Sequence, residues 1–204
     1  MDQKVTDIPY SVVRSKRRTL AVEIQHSGAV VVRAPLREPE SAITSFILSR
    51  QQWIHSKLGQ LLAARNTLPK LTQPDGFYHR GSEQVWEGAL AMRDRWERKQ
   101  SLLVFNEFLT DILPGLGVHA LRFKRLAVRR MRRRWGSCSA NGTVLLNTLL
   151  IRVPDRCSKA VIAHELAHLV YMNHGRQFKH LASSLYPDYV QADKDLQAWA
   201  LVLE

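Results

Sequence analysis

His164-Glu165-Leu166-Ala167-His168, followed by His174, brings together the residue types of a hydrolytic metal centre. Two histidines four apart on a helix stand one turn above each other on one face and can grip a single ion. A glutamate beside the first lies next to that ion, where it can hold and deprotonate a water without being a ligand. A turn after His168 returns His174 to the same ion. The result is three nitrogen ligands and an open fourth position, which predicts a Zn²⁺ site built for hydrolysis. On a helical wheel, Val161, Glu165 and His168 fall beside His164, whereas Ile162, Ala163, Leu166, Leu169 and Val170 form the opposite stripe. The helix therefore gives one face to a core and a neighbouring face to a cleft.

The ligand set dictates the chemistry. Three neutral imidazoles leave the ion its full double charge, enough to lower the pKa of a bound water from about 15.7 towards ~7. Glu165 is the expected general base, taking that proton and passing it to the leaving amine. Tyr171 and His180, with His119 and Tyr186 behind them, are candidates for a second electrophile. Asp155, Asn147 and Asp188 are candidates for orienting the imidazoles.

Elements must hold these residues in place. Residues 20–24 and 29–33 alternate around His26-Ser27-Gly28, which predicts a hairpin. Apolar residues at helical spacing predict helices over 41–64 and 94–113, the second stopped by Pro114-Gly115. The polar segment between them suits a short strand near Phe77 or Val85, and residues 65–90 are a candidate cover for the cleft. Ala140-Asn141-Gly142 predicts a second hairpin, joining a strand over 132–139 to one over 143–149. Pro154 opens the metal helix; further helices are expected over 177–185 and 189–203. The division expected is 1–115, strands and helices, and 116–204, the metal-binding core, together one compact unit.

Composition narrows the partners. The chain has 204 residues, 45% hydrophobic and 24% charged, as a globular protein does. No run approaches ~18 consecutive apolar residues, so no membrane partner is expected. Residues 1–15 carry no apolar signal region, and Cys138 and Cys157 are too few for a disulfide framework. Both point to a cytoplasmic protein. The net charge is +12, and eight basic residues fall between Arg122 and Arg134. The run from Arg129 to Arg134 suits a nucleic acid or another polyanion, or simply a solvated face.

Arg134-Trp135-Gly136-Ser137-Cys138-Ser139, the Asn-Gly turn, Leu146-Asn147, His164-Glu165-Leu166-Ala167-His168-Leu169, Asn173-His174 and Phe178 together resemble the YgjP-like metallopeptidases, relatives of the SprT-type minimal gluzincins. The similarity is strongest over residues 121–190. Metzincins share the histidine spacing but turn the chain on a glycine where this one has Tyr171, and no methionine follows Met172. The resemblance implies an α+β fold with a small zincin-like core, a twisted antiparallel or mixed sheet packed on the histidine helix, after an N-terminal hairpin and helix. It also implies a zinc-dependent hydrolase with His164, His168 and His174 as ligands and Glu165 as base. The expected substrate is an extended protein or peptide segment, bound along the strand before Asn141 with Arg134, Trp135, Gly136 and Ser137 in contact. Hydrolysis of a phosphoanhydride, with the arginines holding phosphates, and proteolysis on nucleic acid are the competing expectations.

Overall fold

The structure, a computed structural model, describes residues 8–25, 28–132, 134–200 and 202–203, with the side chains of residues 64 and 65 set aside. The expected turn at His26-Ser27 and the cation Arg133 lie outside these residues. Contacts divide the chain into two units, one reaching to Leu68 and resuming at Ala198, the other spanning Pro69–Gln197 with Leu203. Residues 69–115 thus belong with the metal-binding segment.

In the first unit the expected hairpin is present as β2 (Ala21–Ile24) antiparallel to β3 (Val30–Pro35). A strand absent from the sequence reading, β1 (Tyr10–Ser15), pairs in parallel with the other edge of β3. Only Tyr10 of its six residues is buried, so it carries no alternation to read. Helix α1 (Glu40–Thr67) places Ile43, Ile47 and Ile54 in one buried cluster with Tyr10, Val30, Val32 and Ala34.

The second unit holds the histidines. Strands β4 (Gly76–His79) and β5 (Ser82–Val85) form a hairpin where a single short strand was expected. Helix α2 (Leu90–Ile112) starts one turn before Asp94, and a 3-10 segment over Leu113–Arg122, kinked at Gly117, follows it. Three strands come next: β6 (Arg125–Arg129), β7 (Gly136–Cys138) and β8 (Thr143–Asn147). Their order is β6-β8-β7, with β6 parallel and β7 antiparallel to β8, so the sheet is mixed. The strand expected from Arg132 is only the three residues of β7, because its ladder with β8 begins at Gly136↔Leu146. After a 3-10 turn over Thr148–Arg152 come α3 (Asp155–Ala167), α4 (Arg176–Leu185) and α5 (Tyr189–Trp199).

The core of this unit fills the space between α2, the sheet and α3. Phe105, Phe108, Leu109 and Ile112 of α2 are buried, as are Val144 and Leu146 of β8 and Ile162, Ala163 and Leu166 of α3. A window within Leu90–Arg122 has the length and composition of a membrane-crossing helix, and 39% of it is buried; Val104, Phe105, Phe108, Leu109 and Ile112 supply part of its apolar content from the buried face of α2. Between α2 and the 3-10 turn, Arg152 Nε and Nη2 donate to the two carboxylate oxygens of Glu97, each at 2.9 Å. The fold is α+β, with the mixed sheet packed on α3.

Candidate metal centre

Helix α3 carries His164 and His168 on adjacent turns at its C-terminal end, and the chain reverses there. Tyr171 N–H and Val170 N–H both donate to Ala167 O. From a distant segment, Arg122 Nη1 donates to Leu169 O at 2.8 Å and pins the turn. Six residues after His168 the chain brings His174 back just before α4. Phe178, on the first turns of α4 and 1% exposed, lies under all three imidazoles with ring centroids 4.7–4.9 Å away. The turn that delivers His174 therefore rests on a buried aromatic.

The three imidazoles converge. One ligand nitrogen from each lies within 4.8 Å of the others, and His164 Nε2 and His174 Nε2 are 3.1 Å apart. Two nitrogens on a tetrahedral zinc at ~2.0–2.1 Å would stand about 3.3 Å apart. The distance and the donor set fit a metal ion.

Hydrogen bonds prepare the nitrogens for that role. His168 Nδ1 lies 3.0 Å from Tyr171 O; a carbonyl only accepts, so the proton sits on Nδ1 and Nε2 keeps its lone pair. His164 Nδ1 lies 2.9 Å from the Tyr189 hydroxyl, and donation to that oxygen frees His164 Nε2 likewise. Burial pushes the His164 pKa down to about 4, helped by His168 and His174; burial also lowers that of His168. Both rings are neutral near pH 7. Tyr189 stands 25 residues from His164, and no sequence signal marked it. Tyr189→Phe is expected to weaken zinc binding about 10–100-fold while His164 stays in place, read by competition with a chelator of known affinity.

Glu165 is buried beside this cluster, and its Oε2 has no hydrogen-bond partner among the described residues. Burial pushes its pKa up to about 7, against the opposing pull of Arg134 and of the Cys138 N–H. Strand β7 presses directly on it. A Cβ built on Gly136 would fall 2.5 Å from Glu165 Oε1 and 2.7 Å from its Cγ, so only glycine permits the approach. Gly136→Ala is expected to displace the carboxylate and cut hydrolysis by about 10–100-fold with metal content unchanged. Wild-type turnover in this variant would refute the contact.

Strand β7 is placed by Asn147, 3% exposed at the end of β8. Its Nδ2 donates to Met131 O (2.8 Å) and Arg134 O (3.0 Å), and its Oδ1 accepts from Met131 N–H (3.3 Å) and Leu149 N–H (3.1 Å). Asn147 N–H donates to Trp135 O at 2.8 Å. Asn147 thus clamps the backbone of residues 131–135 rather than orienting an imidazole. Arg134 reaches Glu165 electrostatically and Gly136 touches it. Trp135 and Ser137, on either side of Gly136, are half-buried.

The remaining candidates lie elsewhere. Tyr171 and His180 line an open pocket with His119, Arg176 and Ser184, which no metal-centre histidine lines; Tyr171 serves the centre through its carbonyl. Asp155 pairs with Arg80 (Nε to Oδ1 2.8 Å) at the far end of α3, and the charges of Asp188, Asp155 and Arg156 bear on Tyr186 there. The β4–β5 hairpin docks at that same far end: Arg80 N–H and Gly81 N–H donate to Ile151 O and Arg152 O. It is no cover for the histidines. Burial raises the thiol pKa of Cys138 to about 11 and of Cys157 to about 12, so both remain protonated and unreactive. The basic run is split: Arg130 lies within reach of the charges of Arg152, Glu97, Asp94 and Arg93, whereas Arg134 faces Glu165.

Comparison with known proteins agrees with this geometry. Residues 18–90 and 86–198 match the family described as "YgjP-like, metallopeptidase domain". A curated relative, the UTP pyrophosphatase of Escherichia coli (strain K12), is 22% identical over 146 residues, covering 70% of this chain and 78% of the relative. With nearly all of its length matched and three imidazoles convergent beside a buried glutamate, the chain belongs to the YgjP-like metallopeptidase family.

Proposed function

We propose that the protein is a zinc-dependent metallopeptidase that cleaves peptide bonds in extended or unfolded protein segments. His164, His168 and His174 hold the ion, and Glu165 is the general base. The observation that carries this reading is the Glu165 carboxylate, buried with one oxygen unpartnered among the described residues, beside three imidazoles that converge on one point. When bound there, a dication supplies a Lewis acid that acidifies water and polarises the scissile carbonyl. Glu165 Oε2 takes the proton of the attacking water and delivers it to the leaving amine. Arg134 favours the charged carboxylate before the transfer, and Gly136 and the Cys138 N–H hold its other oxygen in place. Strand β7, at the edge of its sheet, supports pairing with an extended peptide through backbone hydrogen bonds.

A second reading is hydrolysis of a nucleotide phosphoanhydride. It is favoured by the relative named a UTP pyrophosphatase and by a guanidinium, Arg134, close to the base. Arg129 and Arg132, both exposed, extend that charge towards a polyanion, including nucleic acid. One experiment separates the readings. An unfolded protein and UTP are offered to the same preparation, before and after chelation and after zinc is restored. Zinc-dependent peptide cleavage is the expected result. Pyrophosphate release from UTP with the protein left intact would replace the peptidase reading by the second.

A further inference from the structure

We infer that the groove on the His168 side of the metal centre is a substrate subsite for a large apolar side chain, with Leu121 and Met172 setting the preference. The inference rests on the peptidase reading and adds the chemical class of residue that it selects.

The groove has a volume of about 620 Å³ and is lined by Leu121, Lys124, Asn141, His168, Leu169 and Met172 among others. His168 belongs to both places, so the groove adjoins the metal centre. Leu121 is 79% exposed and Met172 66%, and both line this groove. Exposed large side chains that converge on one cleft mark a binding surface, unlike scattered ones. Methionine adds an adaptable wall.

Electrostatics excludes a cationic occupant. Among the described residues no carboxylate lines the groove, so a lysine or arginine of the substrate finds no partner there. The two cations that do line it are engaged: Lys124 Nζ donates to Leu121 O at 3.3 Å and Arg122 Nη1 to Leu169 O at 2.8 Å. Their methylene stems remain to cover the walls. Leu121, Leu169, Val170, Met172 and these stems form its apolar walls, beside the polar Ser139 and Asn141.

The walls are built in advance. Lys124 N–H donates to Gly142 O at 2.9 Å, joining the segment that carries Leu121 to the Ser139–Gly142 turn. Gly142 has φ +81°, and a Cβ there would lie 1.9 Å from Arg122 O. Asn141 Oδ1 accepts from Ser139 Oγ (2.6 Å) and Thr143 N–H (3.1 Å), which holds the turn closed.

The test uses the zinc-loaded full chain and peptide hydroxamates that differ in one side chain, Leu, Ala, Asp or Lys, beside the zinc-binding group. Affinity is read by calorimetry, and cleavage of the matching peptides is followed in parallel. The Leu ligand is expected to bind tenfold or more tightly than the Ala ligand. Leu121→Glu should abolish that preference and raise Lys above Leu, with zinc content and circular dichroism unchanged. Equal affinities in the wild type, or the same ranking in Leu121→Glu, would overturn the subsite. So would concentration-dependent self-association lost in Leu121→Glu without a change in ranking, which assigns the patch to a second copy of the chain. The ranking persisting while no peptide is cleaved would instead sink the peptidase reading and leave the apolar subsite standing.

Discussion

Glu165→Gln is expected to keep one zinc per chain and lose hydrolysis by about 10²–10⁴-fold. Glutamine has the same outline, so the contact with Gly136 survives and its amide oxygen still accepts the Cys138 N–H. It has no basic oxygen, so a water's proton has nowhere to go. The change leaves the three imidazoles and their hydrogen bonds to Tyr171 O and Tyr189 untouched. It also removes a carboxylate whose pKa burial has pushed up to about 7, so the variant should be no less stable than wild type. Zinc analysis and initial rates on one preparation check both halves. Retained turnover would remove Glu165 from the reaction, and lost zinc would make it a structural support of the ligands.

Breaking the ion pair between α2 and the 3-10 turn should have the largest effect on stability. Glu97 and Arg152 have side chains only 3% and 10% exposed, and their two hydrogen bonds are parallel and bidentate. Glu97→Leu leaves the Arg152 charge buried without a partner, with the charge of Arg130 close by. A loss of about 3–5 kcal/mol is expected. For a chain of this size, that lowers Tm by roughly 6–20 °C. The double variant Glu97→Leu with Arg152→Leu should recover much of the loss, because no charge is left stranded. Thermal unfolding of wild type, the single and the double variant forms the cycle. A single variant as stable as wild type would show that the pair contributes no net stabilisation.

The parts of the site legible in the sequence were those that lie on one element or one short turn. The spacing of His164 and His168 against the apolar stripe of α3 is a property of the helix itself, and the return of His174 needed only a reversal within six residues. The hairpin over β4 and β5 reads from sequence as one short strand, because its turn puts an arginine, Arg80, at φ +52° where a turn signal would be asparagine or glycine. The docking of that turn on Ile151 O and Arg152 O helps to hold a conformation disfavoured for any residue with a Cβ. Strand β1 was missed because its partner, not its pattern, makes it a strand. Strand β7 was overdrawn because residues 131–135 obey the Asn147 side chain instead of a ladder.

By itself, then, the sequence marked the three histidines and Glu165 as the candidate ligands and base and determined the α+β character, since helical and strand periodicities are local consequences of backbone geometry. Only the tertiary structure decided which groups surround them. Tyr189 on His164, Gly136 against Glu165, Asn147 holding the strand and Arg122 pinning the turn after α3 each join residues 16 or more positions apart or lie on separate elements. No repeat or spacing encodes such meetings; they follow from how α3, the mixed sheet and the last two helices bury one another's apolar faces.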